Sequence, residues 1–362
     1  MAAASDDRAP LSYVELGQAA RNHALPLEAL RHDVTPLGLH YLLIHYDIPH
    51  VDAGAWRLTI DGRVRRPLTL TLEELRARPS RTLRVTLECA GNGRALMHPR
   101  VESQPWLSEA VGTADWTGVP LAALLAEADP LEDAVDVRFT GLDRGVEGGV
   151  EQQYERALSL DEARGEDVLL AWGVNGAPLP PQHGFPLRLL VPGWYGMASV
   201  KWLERIHVLE APFAGYQHTR AYRLWRGEDD PGDPVTRIEP RALMVPPGLP
   251  EFPSRRRVLD PGHVTVEGRA WSGHGPIDRV EFSSDGGATW ADADLSPPAG
   301  RWAWRRWTAG WDATIGHHEL RCRARDATGR LQPDAAAWNR GGYANNGAQR
   351  VAVEVRPLPG QS

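Results

Sequence analysis

In the stretch Glu88-Cys89-Ala90-Gly91-Asn92-Gly93-Arg94, a cysteine stands directly behind Leu83-Arg84-Val85-Thr86-Leu87, whose apolar residues alternate as in a β-strand. Gly91 and Gly93 so soon after a strand mark a tight turn, or a place where backbone must approach a ligand closely. A thiol held there can act as a nucleophile, as a metal ligand or as a small buried apolar group. No sequence signature of a thiol protease surrounds it. Zinc would require more cysteines or close-spaced histidines such as H-E-x-x-H, and these are absent. A lone thiolate still binds a metal when a cofactor supplies the other ligands.

A second group lies in "AWGVNGAPLPPQHGFPLRLLVPGWYGMASVKWLERI", which holds His183, Arg188, Ser199 and Lys201 among glycines and prolines. Lys201 is the single lysine of the chain; every other residue among its 40 basic side chains is arginine. Lysine offers a compact ammonium on a thin stem where arginine offers a wide planar fork, so a crowded pocket can tell them apart. Turns that expose backbone N–H groups beside arginine and lysine suit an anion, with phosphate as the natural guest. The plainer alternative is that Arg188 and Lys201 pair with surface acids. Neither G-x-G-x-x-G nor G-x-x-x-x-G-K-[ST] occurs, so the common nucleotide folds are not indicated.

The elements that position these groups can be read from patterning. The chain has 362 residues, 42% hydrophobic and 24% charged, enough for two or three domains with proper cores. Its 30 prolines and 36 glycines favour many turns and short elements. Thr71 with Glu74, and Ser159 with Glu162, have the spacing of helix N-terminal capping boxes. Pro120 is expected in the first turn of an apolar helix in "VPLAALLAEA". Between residues 235 and 258 five prolines interrupt every periodic pattern. Beyond them come short runs of alternating polarity: "HVTVEGRAW", "DRVEFSSDGGATW", "RWAWRRW", "HELRCRARD" and "QRVAVEV". Leu320, Cys322 and Ala324 share one face, which makes Cys322 a buried small hydrophobe, and Trp302 and Trp304 are placed on one side of a strand. Residues 236–362 are therefore expected to form an immunoglobulin-like β-sandwich. Residues 1–235 then form a separate domain, with 1–30 as an N-terminal extension.

A formal charge of −7 without long like-charge runs excludes nucleic acid as a main partner. No run approaches 18 apolar residues, so no membrane span is expected. The start "MAAASDDRAPLSY" carries no export signal, and two distant cysteines do not suggest a disulfide; a cytoplasmic setting is the expectation.

Taken together, "ECAGNGR", "VNGAPLPPQHGFPLRLLVPGWYGMASVKWL", the "SSDGGATW" hairpin and "WNRGGYANNGAQRV" resemble the sulfite oxidase family of molybdenum-cofactor enzymes, in order, from about Leu37 to Val355. The resemblance implies an α+β protein: a mixed α/β molybdopterin-binding domain followed by an immunoglobulin-like dimerisation domain. It implies a homodimer that carries out oxygen-atom transfer. In that family Cys89 would be the thiolate ligand of molybdenum, and His45, Asp143, His183, Arg188, Ser199 and Lys201 would hold the molybdopterin and its phosphate. Tyr222 would stand beside the metal, and Arg94 would face the substrate anion. The implied reaction is oxidation of sulfite, or another small oxyanion, with electrons leaving to a separate acceptor such as a cytochrome or oxygen. No C-x-x-C-H motif occurs, and no haem domain is expected in this chain. The reverse reaction, reduction of S-oxides, N-oxides or nitrate, is the alternative; a non-catalytic scaffold would leave the ligand cluster without a purpose.

Three positions depart from the family pattern. Leu43 replaces a substrate-facing arginine ahead of His45. Gly341 stands where Trp-Asn-Leu-Arg-Gly has its arginine, so Arg340 is displaced by one residue, a step that reverses the direction of a strand side chain. Ala221 replaces an acid beside Tyr222. Arg94 is then the one secure arginine of the implied anion pocket.

Overall fold

The computed structural model describes residues 10–227 and 229–357. The first nine residues of the expected N-terminal extension, and the last five of the expected sandwich, lie outside these.

The alternation at Leu83, Val85 and Leu87 becomes the strand Arg81–Glu88, paired antiparallel with Val111–Pro120 so that Val85 faces Ala114. Leu169–Val174 extends this sheet and pairs in turn with Ala177–Pro178 and with Arg188–Leu190. A second sheet runs Leu68–Leu70, Leu58–Gly62, Leu203–Leu209, Asp136–Glu147, Val150–Ser159, with Leu58–Gly62 parallel to Leu203–Leu209. Parallel neighbours so distant in sequence need a long crossover, and the intervening chain supplies the first sheet and the helices. Leu58, Ile60, Phe139, Ile206 and Val208 of the second sheet share one core with Leu121, Leu124 and Leu125 of the helix Leu121–Ala128.

Helix Leu72–Arg76 begins with both halves of its capping box, the Thr71 side chain accepting from Glu74 N and the Glu74 carboxylate accepting from Thr71 N. Ser159 caps Leu160–Ala163 through Glu162 N, at 3.2 Å. Pro120 departs from expectation: it is extended, ends the strand and occupies the N-cap of Leu121–Ala128. Its missing N–H costs nothing there, because the chain has not yet turned into the helix. A second complete capping box, Ser12 with Glu15, opens the unexpected helix Tyr13–Arg21.

The C-terminal part is a β-sandwich. One sheet runs Arg241–Met244, Gly262–Trp271, Arg305–Ala313, Asp294–Leu295; the other runs Leu249–Pro250, Arg257–Leu259, Gln349–Val355, Gly316–Asp326, Ile277–Ser283, Ala291–Asp292. Leu320, Cys322 and Ala324 point inward, fully buried against Phe282, Trp307 and Val353.

Trp302 and Trp304 correct the sequence reading, since both precede the strand Arg305–Ala313 and leave the sandwich altogether. Thr86 N donates to Trp302 O at 2.9 Å and Trp304 N donates to Thr86 Oγ1 at 2.8 Å. Their indole N–H groups reach Asp167 and the Asp33 carbonyl. Alternating polarity identified an extended segment, but its partner is the strand leading into Cys89. Trp304, Trp271, Leu243 and Val245 join the first domain's core, so the two parts share continuous apolar contact. Among the described residues no helix is long and apolar enough to cross a membrane.

Candidate active site

At the end of the strand Arg81–Glu88 the chain coils tightly. Asn92 N donates to Cys89 O at 3.0 Å and Arg94 N to Gly91 O at 3.0 Å, with Gly93 left-handed at φ +86°. A Cβ at Gly91 would lie 2.7 Å from the Arg94 guanidinium, so this glycine is required for close approach. Asn92 ties the turn on both sides, accepting from Ala110 N and donating to Glu88 Oε1. Glu88 is buried and also accepts from Arg241 Nη1 at 2.6 Å and Trp271 Nε1 at 2.7 Å, so two residues of the sandwich hold the base of the Cys89 turn. Cys89 is 7% exposed, beside Trp106 and Ala110. Burial pushes its pKa up, and Arg94 pulls it partly back.

Cys89 opens onto a cavity enclosing about 680 Å³ of empty space, open solvent included. Of the nine residues singled out from sequence, His45, Cys89, Asp143, His183, Arg188, Ser199, Lys201 and Tyr222 all line it. They arrive from both sheets and from the loops between them, although residues 45 and 222 lie far apart in the chain.

The half-buried Lys201 donates from Nζ to Leu43 O at 2.8 Å and Gln182 O at 3.2 Å, with the Trp202 ring centroid 4.3 Å away. A small ammonium with three donors satisfies two carbonyls and keeps one proton for a guest. Arg188 lies over Trp116 at 4.8 Å and donates to His183 O and Ser199 O, both at 3.1 Å, while its Nε is buried without a partner. Ser199 Oγ accepts from Val191 N. Asp143 is buried and its Oδ1 has no hydrogen-bond partner. Burial raises the Asp143 pKa and lowers that of Lys201, while each opposes the shift of the other. Burial, with cationic neighbours, pushes His183 down to about 2 and His40 to about 4, so both imidazoles are neutral. His45 Nε2 lies 3.0 Å from Glu147 Oε2. Tyr222 is held left-handed at φ +50°, a costly conformation for a tyrosine and one that local packing must impose.

Arg94 is buried but does not line the cavity. Its Nε donates to Gly341 O at 3.0 Å, and its Cζ sits 5.1 Å from the Tyr343 ring centroid. Arg340 is exposed, with its N–H bonded to Trp225 O, and takes no part in the lining. His40, Tyr41 and Tyr154 also line the cavity, and nothing in the sequence singled them out. Tyr343, 5.1 Å from Tyr222, also went unread. Aromatic residues in ordinary strand and loop contexts give no local sign that they face a site.

The donor set tests whether the family's cofactor fits. A soft thiol at one wall, a cationic pair with a free guanidinium Nε, and a carboxylate oxygen without a partner suit a metal dithiolene with a hydrogen-bonding heterocycle and a phosphate.

Two family models match the chain. The oxidoreductase molybdopterin-binding domain covers residues 45–217 and the Mo-co oxidoreductase dimerisation domain covers 252–356. Chicken sulfite oxidase is 36% identical over 334 residues, covering 84% of this chain and 70% of that protein. The chain belongs to the sulfite oxidase family of molybdenum-cofactor oxidoreductases. Human mitochondrial sulfite oxidase is 35% identical over 90% of this chain, which spans 62% of that protein's length. An NADH nitrate reductase of Brassica napus is 32% identical over 95% of this chain and 41% of that protein. The structure of the sulfane dehydrogenase SoxCD from Paracoccus pantotrophus superposes with a TM-score of 0.80 at 26% identity, covering 99% of this chain and 96% of that one. The fold expected from sequence, a molybdopterin-binding domain followed by a β-sandwich dimerisation domain, is the one observed.

Proposed function

We propose that this enzyme oxidises sulfite to sulfate in a two-electron reaction and passes the electrons to a separate acceptor. The observation that carries the reading is the convergence on one cavity of the Cys89 thiol, the Arg188 and Lys201 cations and the unpartnered Asp143 oxygen. When bound, the molybdenum cofactor supplies a two-electron centre for oxygen-atom transfer. Cys89 holds the metal as thiolate. Lys201, Arg188 and Ser199 hold the cofactor's anionic and hydrogen-bonding groups, with His183 and His45 as neutral or carboxylate-oriented imidazoles beside them. Asp143, whose Oδ1 is buried without a partner, would accept a hydrogen bond from the cofactor. Tyr222 stands beside the reacting centre, and Arg94 contributes positive potential from behind Tyr343, steering an anion toward the cavity without being exposed to water.

The domain boundary at 235/236, a homodimer formed through the sandwich and a cytoplasmic setting belong to the same proposal; both cysteines are free thiols. The decisive measurement is sulfite-dependent reduction of ferricyanide or cytochrome c by protein whose molybdenum content has been confirmed by elemental analysis. Turnover at micromolar sulfite, from a species of twice the 39.9 kDa chain mass in light scattering, is the expected result. Molybdenum without sulfite turnover would sink the substrate assignment. Similarity to nitrate reductase over 95% of the chain supports a second reading, reduction of nitrate or of an S- or N-oxide, which reduced-dye assays would then test.

Lys201 gives a sharper test of cofactor binding. Lys201→Arg keeps the charge but replaces a compact ammonium, seated on two carbonyls, with a fork that cannot satisfy both from the same point. Cofactor retention should fall about ten- to a hundredfold, a range typical of residues that support a metal site. Pterin released on denaturation, measured by fluorescence against protein concentration, reads this directly; wild-type retention in Lys201→Arg would return the lone lysine to chance.

A further inference from the structure

Six arginines of the described chain are buried: Arg94, Arg156, Arg188, Arg241, Arg257 and Arg269. Three are paired with carboxylates, Arg241 with Glu88, Arg257 with Glu28 and Arg269 with Asp33. The other three form no ion pair among the described residues; Arg188 lines the cavity that holds Cys89, while Arg156 lies behind its lining tyrosine Tyr222 and Arg94 behind Tyr343. A guanidinium buried without a counter-charge is costly, so it persists where an anion is present for part of the working cycle. Arg188 lines the wall assigned above to the cofactor. Arg94 and Arg156 face a different surface.

Arg156 lies on the strand Val150–Ser159, two residues from Tyr154 and so on the same side of the sheet as that cavity-lining tyrosine. Its Cζ sits 5.4 Å from the Tyr222 ring centroid. Arg94 sits 5.1 Å from the ring of Tyr343, and the two tyrosine rings are 5.1 Å apart at 30°. The order across this wall is guanidinium, ring, ring, guanidinium. Arg156 donates from Nη1 to Gln217 O, while its Nε is buried with no partner. It is 2% exposed. Burial lowers its pKa, and the titratable groups nearest to it are the neutral tyrosines 154, 222 and 343, with no carboxylate among them.

We propose that Arg156 is an oxyanion-binding residue of this site, which with Arg94 brackets the Tyr222 and Tyr343 rings and supplies the second cation for the substrate. The inference rests on the oxyanion chemistry proposed above and explains how the pocket works with a leucine at position 43. Arg156 reaches the wall from a different sheet than the loop bearing Leu43, so the anion would bind nearer to Tyr222 than to Leu43.

The test compares wild type, Arg156→Gln and Arg156→Lys as molybdenum-loaded protein. Sulfate binding is measured by calorimetry, and the sulfite KM and kcat are measured with ferricyanide. In Arg156→Gln the sulfate dissociation constant and the sulfite KM should rise about ten- to a hundredfold, the usual weight of a hydrogen bond to a charged group, with a smaller change in kcat. Arg156→Lys should recover most of the lost affinity. If Arg156 only holds the Gln217 carbonyl, both variants lose thermal stability and kcat while sulfate affinity stays within twofold of wild type, and the inference is overturned. Wild-type protein that binds sulfate without oxidising sulfite would refute the proposed reaction, yet the comparison of sulfate affinities would still decide the role of Arg156. Wild-type protein that binds neither sulfate nor nitrate overturns the inference as well.

Discussion

Replacing Cys89 with serine should lower turnover by about a thousandfold or more, equivalent to roughly 4 kcal/mol of lost transition-state stabilisation, while thermal unfolding stays within a few degrees of wild type. The turn is held by backbone contacts from Asn92 and Arg94 and by the Asn92 side chain, and the Gly91 N–H and Trp106 indole that face the Cys89 sulfur can donate to a hydroxyl as well. A hydroxyl fits the same space beside Trp106 and Ala110. It cannot supply the soft, polarisable donor that a thiolate gives to a metal, and in a buried site it stays protonated. Burial already holds the free thiol protonated, so metal binding must displace a proton, and affinity should rise with pH until the thiolate forms readily. Elemental analysis of the variant against its turnover checks the assignment. Full molybdenum content with wild-type turnover would remove Cys89 from the metal and leave it as a packing residue.

The second large effect concerns stability. Arg241→Ala removes the one cation paired with the buried Glu88, leaving a carboxylate with only the Asn92 amide and the Trp271 indole as donors. Breaking a buried pair from one side costs about 3–5 kcal/mol, because the remaining charge is neither hydrated nor neutralised. In a protein of this size the unfolding midpoint should fall by about 5 °C. Turnover of the protein that remains folded should fall too, since Glu88 immediately precedes Cys89. Adding Glu88→Gln removes the stranded charge and keeps one acceptor oxygen, for Asn92 or for Trp271 but not for both, so the double variant should recover part of the loss. Denaturant unfolding of both single variants and the double variant measures the coupling. A midpoint for Arg241→Ala within a degree or two of wild type would mean that the pair does not hold the turn.

The sequence by itself determined features whose physics is local. Period-two polarity placed Leu320, Cys322 and Ala324 inside a sandwich, because in an extended chain each second side chain faces the same layer. The Thr71–Glu74 capping box required only a four-residue stretch, and it formed as read. Gly91 and Gly93 marked a turn too tight for a Cβ. The residues that gather around Cys89 were legible mainly because their motifs resemble a known family; composition and spacing alone left the thiol with three possible roles.

Tertiary structure decided what depends on partners far away in the chain. Alternation says that a segment such as Trp302 to Trp304 is extended and half buried, but it does not say against what. Only the fold lays those residues on Thr86. Glu88 and Arg241 are each unremarkable in sequence; their pairing across the two domains makes the Cys89 turn a joint product of both. Arg340 carried a question of register, and the fold answers it by exposing the side chain and lending Arg94 the carbonyl of Gly341 instead. Arg156 sat in a strand like many others, one arginine in a chain rich in them. Only when its surroundings are known to hold tyrosines and no carboxylate does its charge need an explanation. The reason is the same in each case: a buried charge is costly or favourable according to what stands within a few ångströms of it, and for these residues that is chain from dozens to hundreds of positions away.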